Sequence, residues 1–123
     1  MSNTADEQYA SNLALYEKLV ETNPAVPRKG KTMPYTSLNG HMFSMLTKEG
    51  QVALRLPVGE REAFLERYDT TLSVQYGTVM KEYVLVPDSL LARTAELKVY
   101  FDISHEYVGS LKPKPTKRKK KSG

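Results

Sequence analysis

Between Met33 and Leu56 the chain reverses direction twice in quick succession, and each reversal carries the residues that a tight β-turn needs. Asn39-Gly40 suits a two-residue type I′ turn, in which both central residues take positive φ. Lys48-Glu49-Gly50 suits a three-residue loop that closes with Gly50 in the left-handed region. Strands are therefore expected over residues 33–38, 41–47 and 51–56, forming an antiparallel meander at the middle of a sheet. The turn lengths also set the register: Leu38 pairs with His41, and Thr47 with Gln51. Strict alternation then places Met33, Tyr35, Met42, Leu46, Val52, Leu54 and Leu56 on one face, the expected core face. Thr36, Leu38, His41, Phe43, Met45, Ala53 and Arg55 fall on the other.

Helical patterns surround this meander. Thr4-Ala5-Asp6-Glu7 has the spacing of a capping box, and Tyr9, Leu13, Tyr16 and Val20 recur at helical intervals until Asn23-Pro24 ends the run. Residues 25–31 read as a Pro/Gly linker on the surface with three positive charges. Residues 59–68 are rich in helix formers, with acidic residues near the start. Residues 72–76 alternate with period two and residues 82–86 are an apolar run, giving two further strands on either side of residues 77–80. Pro87 stops the sheet. One turn of helix then precedes a longer helix that Thr94 is placed to cap, with Leu97, Phe101, Ser104, Val108 and Leu111 on one stripe. The expected fold is α+β and two-layered: helix, three-strand meander, short helix, two strands, C-terminal helix.

At 123 residues the chain suits one domain large enough to need no disulfide or metal, and it contains no cysteine. Thiolate catalysis and thiolate metal sites are excluded with it. No secretory leader pattern opens the sequence and no apolar run approaches the ~20 residues needed to cross a bilayer, so a cytoplasmic protein without membrane contact is expected. The formal charge of +4 is unevenly spread. Residues 1–111 hold eleven basic and fourteen acidic residues, a net −3, whereas Lys112, Lys114, Lys117, Arg118, Lys119, Lys120 and Lys121 give the tail +7. Residues 1–111 are thus expected to fold, and residues 112–123, interrupted by Pro113 and Pro115 and wholly polar from Thr116, to be a disordered basic arm. Such an arm binds polyanions with little regard to sequence, or simply solubilises.

Signals for reaction chemistry are thin. His41 beside a tight turn reads as a partly exposed sheet residue, and His105 near Asp102 and Glu106 as a solvated helix residue. Two histidines without cysteine make a poor zinc set, the serines have no nucleophile-elbow pattern, and the glycines have no phosphate-loop spacing. No cofactor site and no catalytic group are read from the sequence. A small enzyme working on an open sheet face would have only His41, Arg55 and Tyr35 to use. With helices on one side of the sheet, the opposite face, carrying Leu38, His41, Phe43, Met45, Ala53 and Arg55, is expected to be covered by a second copy or another protein.

The segments Asn39-Gly40-His41-Met42-Phe43-Ser44-Met45, Val52-Ala53-Leu54-Arg55-Leu56, residues 61–65 and Lys81-Glu82-Tyr83-Val84-Leu85-Val86-Pro87 occur in an order that resembles the N-terminal domain of the TfoX/Sxy family, whose first members are linked to DNA uptake competence. The resemblance covers most of residues 4–112. The chain has Met33-Pro34-Tyr35-Thr36 where that family carries Met-Phe-Gly-Gly, Tyr100 near the place of a frequent Trp, and no second helical domain of the longer members. The Met-Pro-Tyr and Asn-Gly pieces also resemble the YdhG-like family, and YjbR-like domains share the same general fold, similar to secretion chaperones. The resemblance implies that two-layer fold and a non-enzymatic binding or regulatory module. The alternatives from the residues are a nucleic-acid-associated protein binding through its tail, or a small enzyme on the open face. Because the apolar positions suffice for a core, a chelator should leave the thermal midpoint unchanged; a fall of several degrees on adding EDTA would reveal a structural metal.

Overall fold

The computed structural model describes residues 4–30 and 33–113. α1 (Thr4–Glu21) precedes β1 (Tyr35–Leu38), β2 (His41–Leu46) and β3 (Val52–Arg55); α2 (Val58–Arg67), β4 (Leu72–Gln75), β5 (Thr78–Val86), α3 (Asp88–Leu91) and α4 (Thr94–Gly109) follow. The strands form one open antiparallel sheet in the order β1-β2-β3-β5-β4. This is the expected α+β arrangement.

Both expected turns form. Asn39 and Gly40 take φ of 58° and 79°, and Leu38 pairs with His41. Gly50 takes φ of 81°, and the Thr47 N–H donates to the Gln51 carbonyl. Gly50 is held to glycine twice over, because a Cβ there would also lie 3.2 Å from Tyr9 Cα in α1. The buried Asn12 locks this corner: its Nδ2 donates to the Gly50 carbonyl at 2.7 Å and to Asp88 Oδ1 at 3.1 Å, tying α1 to the β2–β3 loop and to the start of α3.

Strict alternation fails at one position. Thr36 pairs with Ser44 but Ser37 pairs with Met42, so Phe43 is an extra residue on β2, a β-bulge. Phe43 and Ser44 are consequently both fully buried, and both meet the helices. The Phe43 ring lies 5.4 Å from Phe101 in α4, and its carbonyl, left out of the ladder, accepts from Ser104 Oγ at 3.2 Å. Ser44 Oγ is shared with Tyr16 OH of α1 at 2.7 Å and Thr36 Oγ1 at 2.5 Å. The partition expected from the turns is therefore corrected around the bulge. Phe43 and Thr36 leave the outer face for the helix side, while Tyr35, as the pair of Met45, moves to the outer face.

α4 presents Leu97, Phe101, Ser104 and Val108 of the expected stripe to a core that also contains Tyr16, Leu46, Val52, Leu54, Phe64, Val84, Leu90 and Leu91, while Leu111 lies past the end of α4, half-buried against that core. Phe64 of α2 packs on Tyr68 and Tyr100. α2 ends in a left-handed Asp69, φ 52°, with the Thr70 N–H reaching back to the Leu65 carbonyl, the six-to-one bond of a Schellman cap. Thr94 does not cap α4: Arg93 holds that place, and the Thr94 hydroxyl is buried within the first turn with no hydrogen-bond partner. The 25–31 linker is pinned rather than loose, through buried Val26, an Arg28–Glu17 ion pair and a bridge between Lys29 and Tyr35; Lys31 lies outside the described residues.

The fourth and fifth strands differ most from expectation. The turn is Tyr76-Gly77, at φ of 54° and 76°, so β5 starts at Thr78 and not after Lys81. Between the pairs Leu72–Val84 and Val74–Val79, β4 advances two residues and β5 five. A straight β5 would carry Tyr76 about 25 Å or more from the β2–β3 loop. Instead Lys48 Nζ sits 5.9 Å from the centre of the Tyr76 ring, so the outer half of the hairpin bends back. The helices fill one side of the sheet. On the other, Met45 and Ala53, which are not part of the helix-side core, are only 4% and 0% exposed.

Phe43→Ala should therefore cost about 3–5 kcal/mol in urea unfolding, as truncation of a buried aromatic does. Tyr76→Ser, at a residue 81% exposed, should change stability by less than about 0.5 kcal/mol. A loss under about 1 kcal/mol for Phe43→Ala would return that side chain to the outer face.

Candidate functional site

The densest meeting of charged groups lies where β3 ends beside the middle of β5, against α2 and α4. Glu82 on β5 accepts a hydrogen bond from Arg55 Nε at 2.6 Å and another from Tyr107 OH of α4 at 3.0 Å, and Arg61 Nη1 of α2 stands 3.9 Å from its second oxygen. The Arg55 guanidinium lies against two rings, 5.6 Å from the centre of Tyr107 and 6.0 Å from that of Tyr83. Tyr83 OH in turn donates to the Met42 carbonyl at 2.6 Å, tying β5 to β2 across the end of β3. Local sequence explains the assembly: Leu56 N–H bonds to the Glu82 carbonyl, fixing the end of β3 beside β5, and Pro57 starts α2 so that Arg61 points back one turn later.

The electrostatics follow from this packing. Burial opposes ionisation of Glu82, but the hydrogen bonds from Arg55 and Tyr107 and the charges of Arg55 and Arg61 outweigh it and hold the carboxyl below its usual range. Burial, with the hydrogen bond to Glu82, raises the Tyr107 hydroxyl, and burial raises that of Tyr83 against the opposing charge of Arg55. Tyr16 is raised by burial, an effect that its bonds to Ser44 and Thr36 only partly offset. These phenols stay protonated at neutral pH, and Tyr83 and Tyr107 act as donors.

The residues expected to share an outer face are dispersed. Phe43 is in the core. Leu38 packs against that core from the β1–β2 turn, its Cδ2 3.2 Å from where a Cβ on Gly109 would stand. His41 Nε2 hydrogen-bonds the Lys112 carbonyl at 2.9 Å, close to the end of α4. Met45 and Ala53 are buried on the second face, and Arg55 belongs to the Glu82 cluster. His105 sets its ring 5.6 Å from Phe43. Among the described residues no three of His, Asp or Glu come together as a metal set, and no helix is long and apolar enough to cross a membrane. Of the tail cations only Lys112 is described; Lys114, Lys117, Arg118, Lys119, Lys120 and Lys121 lie outside the described residues.

Apolar surface does appear, at a place the sequence reading passed over. Val74 and Val79, cross-strand partners on the bent hairpin, are 55% and 49% exposed, beside Tyr76 at the turn. Alternation in residues 72–76 was a signal for a strand, but which of its faces stays in water depends on the register shift in β5. Two surface depressions lie elsewhere. One of about 490 Å³ sits at the end of α1 between Glu17, Glu21 and Arg28 over Val20 and Val26, and one of about 600 Å³ is flanked by Asp102, His105 and Glu106. Neither touches the Glu82 cluster.

No family model, curated protein or solved structure matches the chain.

The cluster makes a pH prediction. A carboxyl depressed in the folded state stabilises it above the unfolded glutamate value, about 4.3, and that contribution is lost as pH falls through the folded value. Glu82→Gln should therefore cost about 1–3 kcal/mol near pH 7, at the lower end because Glu82 is 35% exposed. The gap between wild type and variant in urea midpoint should narrow below about pH 4.5. A gap independent of pH would show that the charge of Glu82 contributes nothing.

Proposed function

We propose that this chain is a non-enzymatic binding module, resembling the N-terminal domain of the TfoX/Sxy family, that engages a second copy of itself through the bent β4–β5 hairpin. The observation that carries this reading is the joint exposure of Val74, Tyr76 and Val79 on one projecting hairpin, at 55%, 81% and 49%. β4 is also an edge strand, which an isolated protein ordinarily shields with charge or proline, and Leu72-Ser73-Val74-Gln75 has neither. The groups that could serve catalysis are engaged with one another: Glu82 with Arg55 and Tyr107, Tyr16 with Ser44, His41 with a backbone carbonyl. A cytoplasmic setting suits a chain without cysteine. Light scattering across a concentration series should show a dimer that Val74→Asp with Val79→Lys converts to a monomer with unchanged circular dichroism. A wild type monomeric at all concentrations, or a dimer untouched by these changes, would remove the reading.

A second reading rests on charge. The +7 of residues 112–121 follows a body of −3, so nucleic-acid affinity would reside in the tail and be indifferent to sequence. Full engagement of seven cations on duplex DNA gives a slope of about −6 in log K against log salt, and partial engagement a shallower one. Removing residues 112–123 should abolish binding. Binding with a clear base preference after truncation would shift attention to Arg28 and Lys29 beside the β1 edge.

A further inference from the structure

The Glu82 cluster holds two guanidinium cations and a single carboxylate, and its hydrogen-bond supply is equally unbalanced. Arg55 spends only Nε on Glu82. Arg61 Nη1 is buried with no hydrogen-bond partner, because at 3.9 Å the Glu82 oxygen is too distant to accept from it. Buried guanidinium donors in folded proteins are ordinarily satisfied, and this one is aimed at a spot already reached by donors from two other elements of the fold. Arg55 from β3, Arg61 from α2 and Tyr107 from α4 all converge on the position of one carboxylate.

We propose that this position is a binding site for a phosphate monoester, and that Glu82 occupies it as a tethered stand-in. A monoester near neutral pH carries close to two negative charges and three terminal oxygens. It would match both guanidiniums in charge, where Glu82 leaves one unmatched, and its third oxygen would serve the donor that a two-oxygen carboxylate does not reach. Arginine pairs arranged to grip from two sides are suited to such a group because each fork is planar and always charged. Entry requires Glu82 to move aside, since Arg61 Nη1 is itself shielded. The Glu82 side chain is the most exposed of the ion-paired three, at 35% against 18% for Arg55 and 16% for Arg61, so it is the one that moves toward water, while Arg55 keeps its contacts with the Tyr83 and Tyr107 rings. The site is separate from the tail: a run of lysines would hold phosphodiester backbones, which carry one charge per phosphate, whereas this cluster selects the terminal dianion.

The test uses the full chain, with thermal midpoint and the arginine Nε–H resonances as readouts, and four probes: inorganic phosphate, glycerol phosphate, dimethyl phosphate and chloride at matched ionic strength. Inorganic phosphate and glycerol phosphate should raise the midpoint saturably and move the Arg55 and Arg61 resonances, while dimethyl phosphate and chloride do neither. Glu82→Gln removes the internal competitor and should tighten phosphate binding by roughly tenfold, measured against its own ligand-free midpoint, even though the variant is less stable. Arg61→Met should abolish the phosphate-dependent shift. Two results would overturn the proposal: no saturable response in either wild type or Glu82→Gln, or a response in Glu82→Gln equal to that with dimethyl phosphate.

Discussion

The single extra residue in β2 is the constraint on which the helix layer rests. A strand normally offers one side chain in two to a given face, but the bulge lets Phe43 and Ser44 both face the helices. They serve different helices by different means. Phe43 gives α4 an aromatic contact through Phe101 and a backbone acceptor for Ser104, and Ser44 gives α1 a hydroxyl for Tyr16. Without the bulge one of the two would face away, and either α1 would lose its hydroxyl partner on β2 or α4 its contacts with Phe43. Because Thr36, Ser44 and Tyr16 satisfy one another, three buried hydroxyls sit in the core at no unmet hydrogen-bonding cost.

A second irregularity, in β5, shapes the other face. The register shift bends the β4–β5 hairpin back so that Tyr76 meets Lys48 of the β2–β3 loop, and Met45 and Ala53, which lie outside the helix-side core, are buried within the chain itself. Apolar surface is left at the hairpin tip, where Val74, Tyr76 and Val79 meet water. At the opposite end of β3 the chain collects the other kind of surplus, two arginines around one glutamate. An apolar hairpin tip and a cluster of two guanidiniums around one carboxylate are thus distinct features of the same sheet.

Much of this was legible in residue order because the relevant forces act over a few residues. Asn39-Gly40 and Gly50 accept the positive φ that tight turns require and most residues resist, so the meander, its two loops and the Leu38–His41 and Thr47–Gln51 pairs could be written down from the sequence. The stripe Leu97, Phe101, Ser104, Val108 likewise follows from helical period alone. Other features were illegible for equally definite reasons. Phe43 as a bulge depends on a mismatch of one residue between β1 and β2 that no side chain announces. Tyr76 has no preference for the left-handed region, so Gly77 alone could not show that the turn began one residue earlier. Thr94 has a capping side chain, but the packing of α4 sets Arg93 at the cap.

By itself, then, the sequence determined the element order, the α+β class, the tight turns and the division of charge between a negative body and a +7 tail, since propensity, period and charge are properties of neighbouring residues. Tertiary structure alone decided that Phe43 is core, that Met45 and Ala53 are sheltered, and that Arg55, Arg61, Glu82 and Tyr107, spread over 53 positions of the chain from 55 to 107, share one site. These outcomes depend on how strands register and bend against one another. That registry is a balance struck among distant segments, and no window of neighbouring residues contains it.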